Sequence, residues 1–184
     1  MCSCLDNLCE VIVPIDPECR DFIASVRASM TAYFGADARR IAHAEAVAGH
    51  ARELLAYVEA DPVLTLTVAY LHDIGIHEAE RRHGSSAGNF QELEGPPVAR
   101  RLLEALDADA DLVVRVERIV GSHHTPGGVD SPEFRILWDA DALVNFAEVL
   151  AGKPAAEVEA VLQRHMVTEA GYRRARRLYL ADAS

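Results

Sequence analysis

His72 and Asp73, within Leu71-His72-Asp73-Ile74-Gly75, set an imidazole beside a carboxylate. The pair offers a nitrogen and an oxygen to a divalent cation. With 8 His in 184 residues, however, an adjacent His-Asp arises by chance in roughly every second shuffled chain. Its meaning depends on whether further ligand-type residues lie on elements that converge on it. His43 lies early in a helical stretch, His123 and His124 follow the apolar segment ending "RIVG", and Asp139 and Asp141 lie in "ILWDADALVNF". His43, His72, Asp73 and Asp141 make a mixed nitrogen and oxygen set suited to Mn, Fe, Ni, Co or Zn, with Mg as the harder alternative. A coordination position left open for water is the starting point of hydrolytic chemistry. Asp141 is preferred over Asp139 because it shares a helical stripe with Ile136, Leu137 and Val144, whereas Asp139 sits to its side, placed to hydrogen-bond a ligand.

The elements that must position these groups read as helices. Asp16-Pro17, Asp61-Pro62 and Ser131-Pro132 each put a capping side chain before a proline at the first helical position. Hydrophobic periodicity predicts helices over 17–34, from 37 to about 58, over 62–73, 96–106, 110–121, 132–151, 155–165 and 168–182. The third is apolar around most of its circumference, as a helix buried inside a bundle must be. Gly75 supplies its stop and leaves His72 and Asp73 on a terminal turn. Adjacent residues inside a helix point about 100° apart, so only such a turn lets both reach one ion. The partial negative charge of a helix's carboxyl end also favours a cation there. Residues 76–94, "IHEAERRHGSSAGNFQELE", read as a long polar excursion close to the pair.

The expected architecture is all-α, one helical domain of about seven to eight helices over residues 20–184, behind an N-terminal arm of residues 1–19. All four cysteines, Cys2, Cys4, Cys9 and Cys19, fall on that arm. Their spacing matches no standard thiolate metal pattern, so they read as reduced thiols. A net charge of -11 argues against a partner such as long nucleic acid, whose binding needs a basic surface. No apolar run reaches the roughly 18 residues of a membrane span, and no leader pattern opens the chain, so a cytoplasmic location without membrane contact is expected. The basic residues are arginines except Lys153, which makes a guanidinium the expected anion clamp.

His43, then His72-Asp73, then Asp141, in an all-α chain, resembles the HD superfamily of metal-dependent phosphohydrolases, over about residues 38–145. The resemblance implies an HD-type helical bundle in which His43, His72, Asp73 and Asp141 bind a divalent metal. It also implies hydrolysis of a phosphate ester in a small phosphorylated metabolite or a nucleotide. Asp73 would in addition orient the attacking water, and His123 and His124 would offset phosphate charge or protonate the leaving oxygen. Arg40, one turn before His43, is the candidate phosphate clamp. His77, Arg81, Arg82 and Gln91 on the long excursion are candidates for contact with substrate.

Departures from the family's subgroups narrow the reading. Ile76 and His77 stand where stringent-response and deoxynucleotidase-like members carry acidic residues, and "SHHTPGGVDSPE" lacks the GYP signature of cyclic-dinucleotide phosphodiesterases. Dinuclear members, including diiron oxygenases, carry another histidine where this chain has Gln91. Glu92 or Glu94, with His123 or His124, would have to complete a second site. A dinuclear iron oxygenase is therefore the alternative, and a metal-containing, non-catalytic ligand-binding module the third reading. Outside the pattern, His50 reads as packing or surface, His165 as a helix-end cation, and "RRARR" at 173–177 as a solvated face.

Overall fold

The computed structural model describes residues 15–180. Cys2, Cys4 and Cys9 lie outside them, and Cys19 sits in the first turn of the first helix. The described residues form nine helices: α1 (Pro17–Phe34), α2 (Ala38–Leu54), α3 (Pro62–Leu71), α4 (Ile76–His83), α5 (Gly88–Glu104), α6 (Ala110–Val120), α7 (Pro132–Val149), α8 (Ala155–His165) and α9 (Glu169–Tyr179). The all-α architecture is as expected, and none of these helices is long and apolar enough to cross a membrane.

The caps fall where the sequence places them. Asp16 accepts from the Cys19 amide, Asp37 from Arg40, Asp61 from Val63 and Leu64, and Ser131 from Phe134. Each satisfies an amide that the first helical turn leaves without a partner. α3 is the axis of the bundle: every residue from Leu64 to Leu71 is buried, and the helix packs on α1, α2, α6 and α7. Burying a helix on all sides requires largely apolar side chains on all sides, which accounts for a hydrophobic run interrupted only by Thr65 and Thr67.

The polar excursion at 76–94 is not a loop. It contains all of α4 and the first turns of α5. α4 buries only Ile76 and Ala79 and has no side-chain cap, so its apolar signal is two residues long. Glu78, which accepts from Arg81 and Arg82 on the following turn, and the left-handed Gly84 that closes the helix support it locally. α5 starts eight residues before the predicted start at 96 and carries Pro96 and Pro97 inside it. Two prolines read as a helix start because they lack the N–H that an interior turn needs. Here the chain stays helical through them.

Asp139 also differs from its expected role. It is fully buried, and its carboxylate accepts from the Val167 amide (2.8 Å), the Thr168 amide (2.9 Å) and the Thr168 hydroxyl (2.6 Å). It orients no candidate ligand and instead ties α7 to the start of α9. Gly171 makes room for it, since a Cβ there would meet the Asp139 carboxylate. Asp139→Ala strands three partly buried donors and is expected to cost about 2 kcal/mol, read as a lower urea midpoint with metal content retained.

Candidate metal centre

α2 packs against both α3 and α7, which brings His43 on α2 beside the turn after α3 and beside Asp141 on α7. His72 and Asp73 lie just past the last residue of α3, so both side chains face the same point. His43 Nε2 lies 3.2 Å from His72 Nε2, 3.0 Å from Asp141 Oδ1 and 3.7 Å from Asp73 Oδ2. His72 Nε2 lies 3.7 Å from each of those two carboxylates. The four residues expected to meet do meet.

The imidazoles are oriented by backbone carbonyls that the helix ends leave free. His72 Nδ1–H donates to the Ala69 carbonyl (2.9 Å), and His123 Nδ1–H donates to the Val120 carbonyl (2.7 Å). A carbonyl can only accept, so each ring carries its proton on Nδ1 and a neutral ring turns the Nε2 lone pair inward. The same three-residue reach operates at two helix ends, after α3 and after α6. His123 Nε2 is buried, 3.5 Å from Asp73 Oδ1, and makes no hydrogen bond. A buried polar atom without a partner is costly, and a metal ion or a group bound beside it would supply the partner. The donor set and these inward lone pairs fit a divalent ion.

Electrostatics agree. Burial works to raise the Asp73 carboxyl, but the charges of His72, His123 and His43 hold it well below the usual carboxylate range. Asp141 is likewise lowered, against burial, chiefly by its hydrogen bond to His43. Burial works to lower His43 and His123, yet the hydrogen bond and charge of Asp141 raise the first and the nearby charge of Asp73 raises the second. His72, fully enclosed, is pushed down by burial. Two ionised carboxylates thus hold protons on nearby imidazoles in a place where a metal cation would compete for the same lone pairs.

Potential ligand atoms converge in two groups, His43 with His72 and Asp73, and Asp73 with His123 and His124. Asp73 belongs to both. Beside them opens a cavity of about 200 Å³ onto which His72, His123, His124 and Asp141 face. His124 is exposed, its ring 4.0 Å from that of His123, and its amide donates to Glu92.

The remaining candidates lie outside both groups and outside the cavity wall. Arg40 donates to Glu80 at 3.2 Å and lies 3.9 Å from Asp37, so its charge is already compensated. His77 donates to Asp37 at 3.0 Å and packs on the rings of Tyr33 and Phe34. Arg81 and Arg82 are tied to Glu78, and Arg82 also to Glu94. Gln91 is buried and donates to the Ser86 carbonyl at 2.8 Å. Glu92 accepts from Thr125 as well as His124, and Glu94 accepts from His83, so neither stands in for a further imidazole at the cluster.

Residues that sequence reasoning passed over line the cavity instead. Trp138 precedes Asp141 by three positions and Asn145 follows it by four, the spacing of one helical face. Asn145 donates to Asp141 Oδ1 at 2.9 Å. His165, read as a helix-end cation, is also on the wall.

A comparison with curated proteins found no significant match. Among solved structures, the chain is similar to a protein from an uncultured Thermotogales bacterium described as a predicted HD superfamily hydrolase. The identity is 26% and the TM-score 0.60, covering 91% of this chain and 88% of that one. The family model described as HD domain matches residues 40–145, a span that begins three residues before His43 and ends four after Asp141. With its converging His, His-Asp and Asp on three packed elements, the chain belongs to the HD domain family.

Proposed function

We propose that the protein is a divalent-metal-dependent phosphohydrolase that cleaves a phosphate ester in a small phosphorylated metabolite or nucleotide. One observation carries this reading: His72 and His123 are each fixed by a backbone carbonyl so that Nε2 points at Asp73, with His43 and Asp141 closing the other side. His43, His72, Asp73 and Asp141 would hold the metal. A divalent cation supplies Lewis acidity for a phosphate oxygen and lowers the pKa of nearby water.

The chain's own groups account for the rest. In the hydrolysis the water oxygen bonds to phosphorus, the ester P–O bond breaks, and the leaving oxygen takes up a proton. Asp73, ionised by its imidazole neighbours, accepts a hydrogen bond from the water and fixes its direction. His123, raised above the ordinary histidine value by Asp73, can carry the proton for the leaving oxygen, and His124 beside it, held down by partial burial and by the charge of His123, can offer the phosphate a neutral N–H donor. Leu71 and Ile74, buried on either side of the pair, hold its backbone in place.

The test is phosphate release from a broad panel of phosphomonoesters and nucleotides with Mn, Co, Ni, Mg or Fe added to metal-stripped protein. Release from at least one small ester, abolished by chelator, is expected. A fully loaded protein that releases phosphate from none of them would sink the reading.

The sharing of Asp73 between two convergent groups favours a second reading, a dinuclear iron oxygenase. Elemental analysis showing two irons per chain would support it, and one metal per chain would exclude it. A protein that binds metal and turns over neither class of substrate would be the non-catalytic ligand-binding module.

A further inference from the structure

We infer that the cavity beside the metal cluster is a specificity pocket for the uncharged organic group of a small phosphate monoester, a single ring rather than a nucleoside. The inference deepens the phosphohydrolase reading and rests on it for the identity of the phosphate end.

Size is the first argument. The cavity holds about 200 Å³. Pockets that enclose drug-sized ligands run to about 300–1,000 Å³. By that comparison a six-membered ring with one or two substituents suits this space better than a base with its ribose.

Chemistry is the second. Leu137, Trp138, Ala142 and Phe146 give the wall an apolar and aromatic character, and Asn145 and His165 add polar edges. Among the described residues that line it there is no arginine or lysine, and Asp141 contributes negative charge. A second phosphate or a carboxylate on the substrate would meet no guanidinium fork. One phosphate at the cluster and a neutral, partly apolar remainder in the pocket match this distribution of charge.

Rigidity is the third. The Trp138 indole N–H donates to the His165 carbonyl at 3.0 Å, and the Phe146 ring meets the His165 ring edge-on at 5.9 Å. Asn145 joins this wall to Asp141. The aromatic surfaces are held before substrate arrives, so little ordering is needed on binding. Phe146 and His165 also lie beyond the residues that the family model matches, so part of the wall comes from this chain's own C-terminal helices.

Trp138 is the chain's single tryptophan, so its emission reports occupancy whether or not turnover follows. Zn-loaded protein is titrated with phenylphosphonate, which cannot be hydrolysed, and with adenosine 5′-monophosphate. A saturable change with phenylphosphonate is expected, at least tenfold tighter than with the nucleotide. Ala142→Phe, which fills the cavity, is expected to weaken phenylphosphonate at least tenfold with metal content unchanged. If that variant misfolds or loses the metal, His165→Ala at an exposed position decides, with a several-fold weakening expected. No saturable change, nucleotide binding as tight as phenylphosphonate, or wild-type affinity in the deciding variant overturns the pocket. Discriminating binding without phosphate release from any ester supports the pocket and overturns the phosphohydrolase reading, so the two can fail separately.

Discussion

Asp73→Ala is expected to lower divalent-metal affinity by more than about a hundredfold and to reduce phosphate release by about a thousandfold, while leaving the helical content unchanged. Asp73 is the one carboxylate that both convergent groups share. Its Oδ2 lies 3.7 Å from His43 Nε2 and from His72 Nε2, and its Oδ1 lies 3.5 Å from His123 Nε2. No neighbouring side chain can replace two oxygens aimed at three imidazoles. Loss of groups that merely orient a ligand costs about 10- to 100-fold in metal affinity, so loss of a shared ligand should exceed that range. The loss of turnover corresponds to about 4 kcal/mol of activation energy, because the residue proposed to fix the water would be lost together with the ion. The fold should survive, since Asp73 contributes to no helix cap and its removal relieves the burial of a charge. Metal content by elemental analysis, circular dichroism and phosphate release are the three measurements. A variant that keeps full metal content would remove Asp73 from the proposed ligand set.

The cluster was legible because its parts obey local rules. His72 and Asp73 follow a helix whose apolar run and aspartate cap are plain in the sequence, and Asp141 lies on a recognisable stripe of α7. What was not legible depends on contacts distant in sequence. Asp139 bonds to residues 28 and 29 positions away, and no periodicity reveals that. Arg40 lies one turn from His43, yet the guanidinium goes to Glu80, forty residues on, because α4 stands where a loop was expected. The pocket was illegible for the same reason: the polar excursion at 76–94 adjoins the pair in sequence, whereas the open space beside the cluster faces α7 and the end of α8. Trp138 and Asn145 carried a usable signal in their spacing from Asp141, but an aromatic residue on a buried helix reads first as core.

Gly75→Ala is expected to destabilise the protein by about 3 kcal/mol or more, a fall in Tm of about 6 to 12 °C for a chain of this size, and to reduce metal binding with it. The sequence offers Gly75 as a helix stop, but its φ is -77°, open to any residue. The constraint is space. A Cβ there would lie 2.6 Å from the Gly95 amide nitrogen, 2.7 Å from the Gln91 carbonyl oxygen and 2.7 Å from Gly95 Cα. All three are backbone atoms of α5, so no rotamer change relieves the contact and the helix itself must move. α5 cannot withdraw freely, because Gly95 in turn sits against Val120 at the end of α6. Val120 supplies the carbonyl that orients His123. A displacement that begins two residues after Asp73 therefore reaches a second imidazole of the cluster through α5 and α6. Gly49→Ala provides the contrast: nothing lies within 4 Å of its Cβ position in the middle of α2, so that change should stabilise by about 0.5 to 1 kcal/mol through lower backbone entropy. Opposite signs for one chemical change at two glycines would tie the role of Gly75 to close helix approach. Equal and small effects would show that α5 yields, and that the turn carrying His72 and Asp73 does not depend on it.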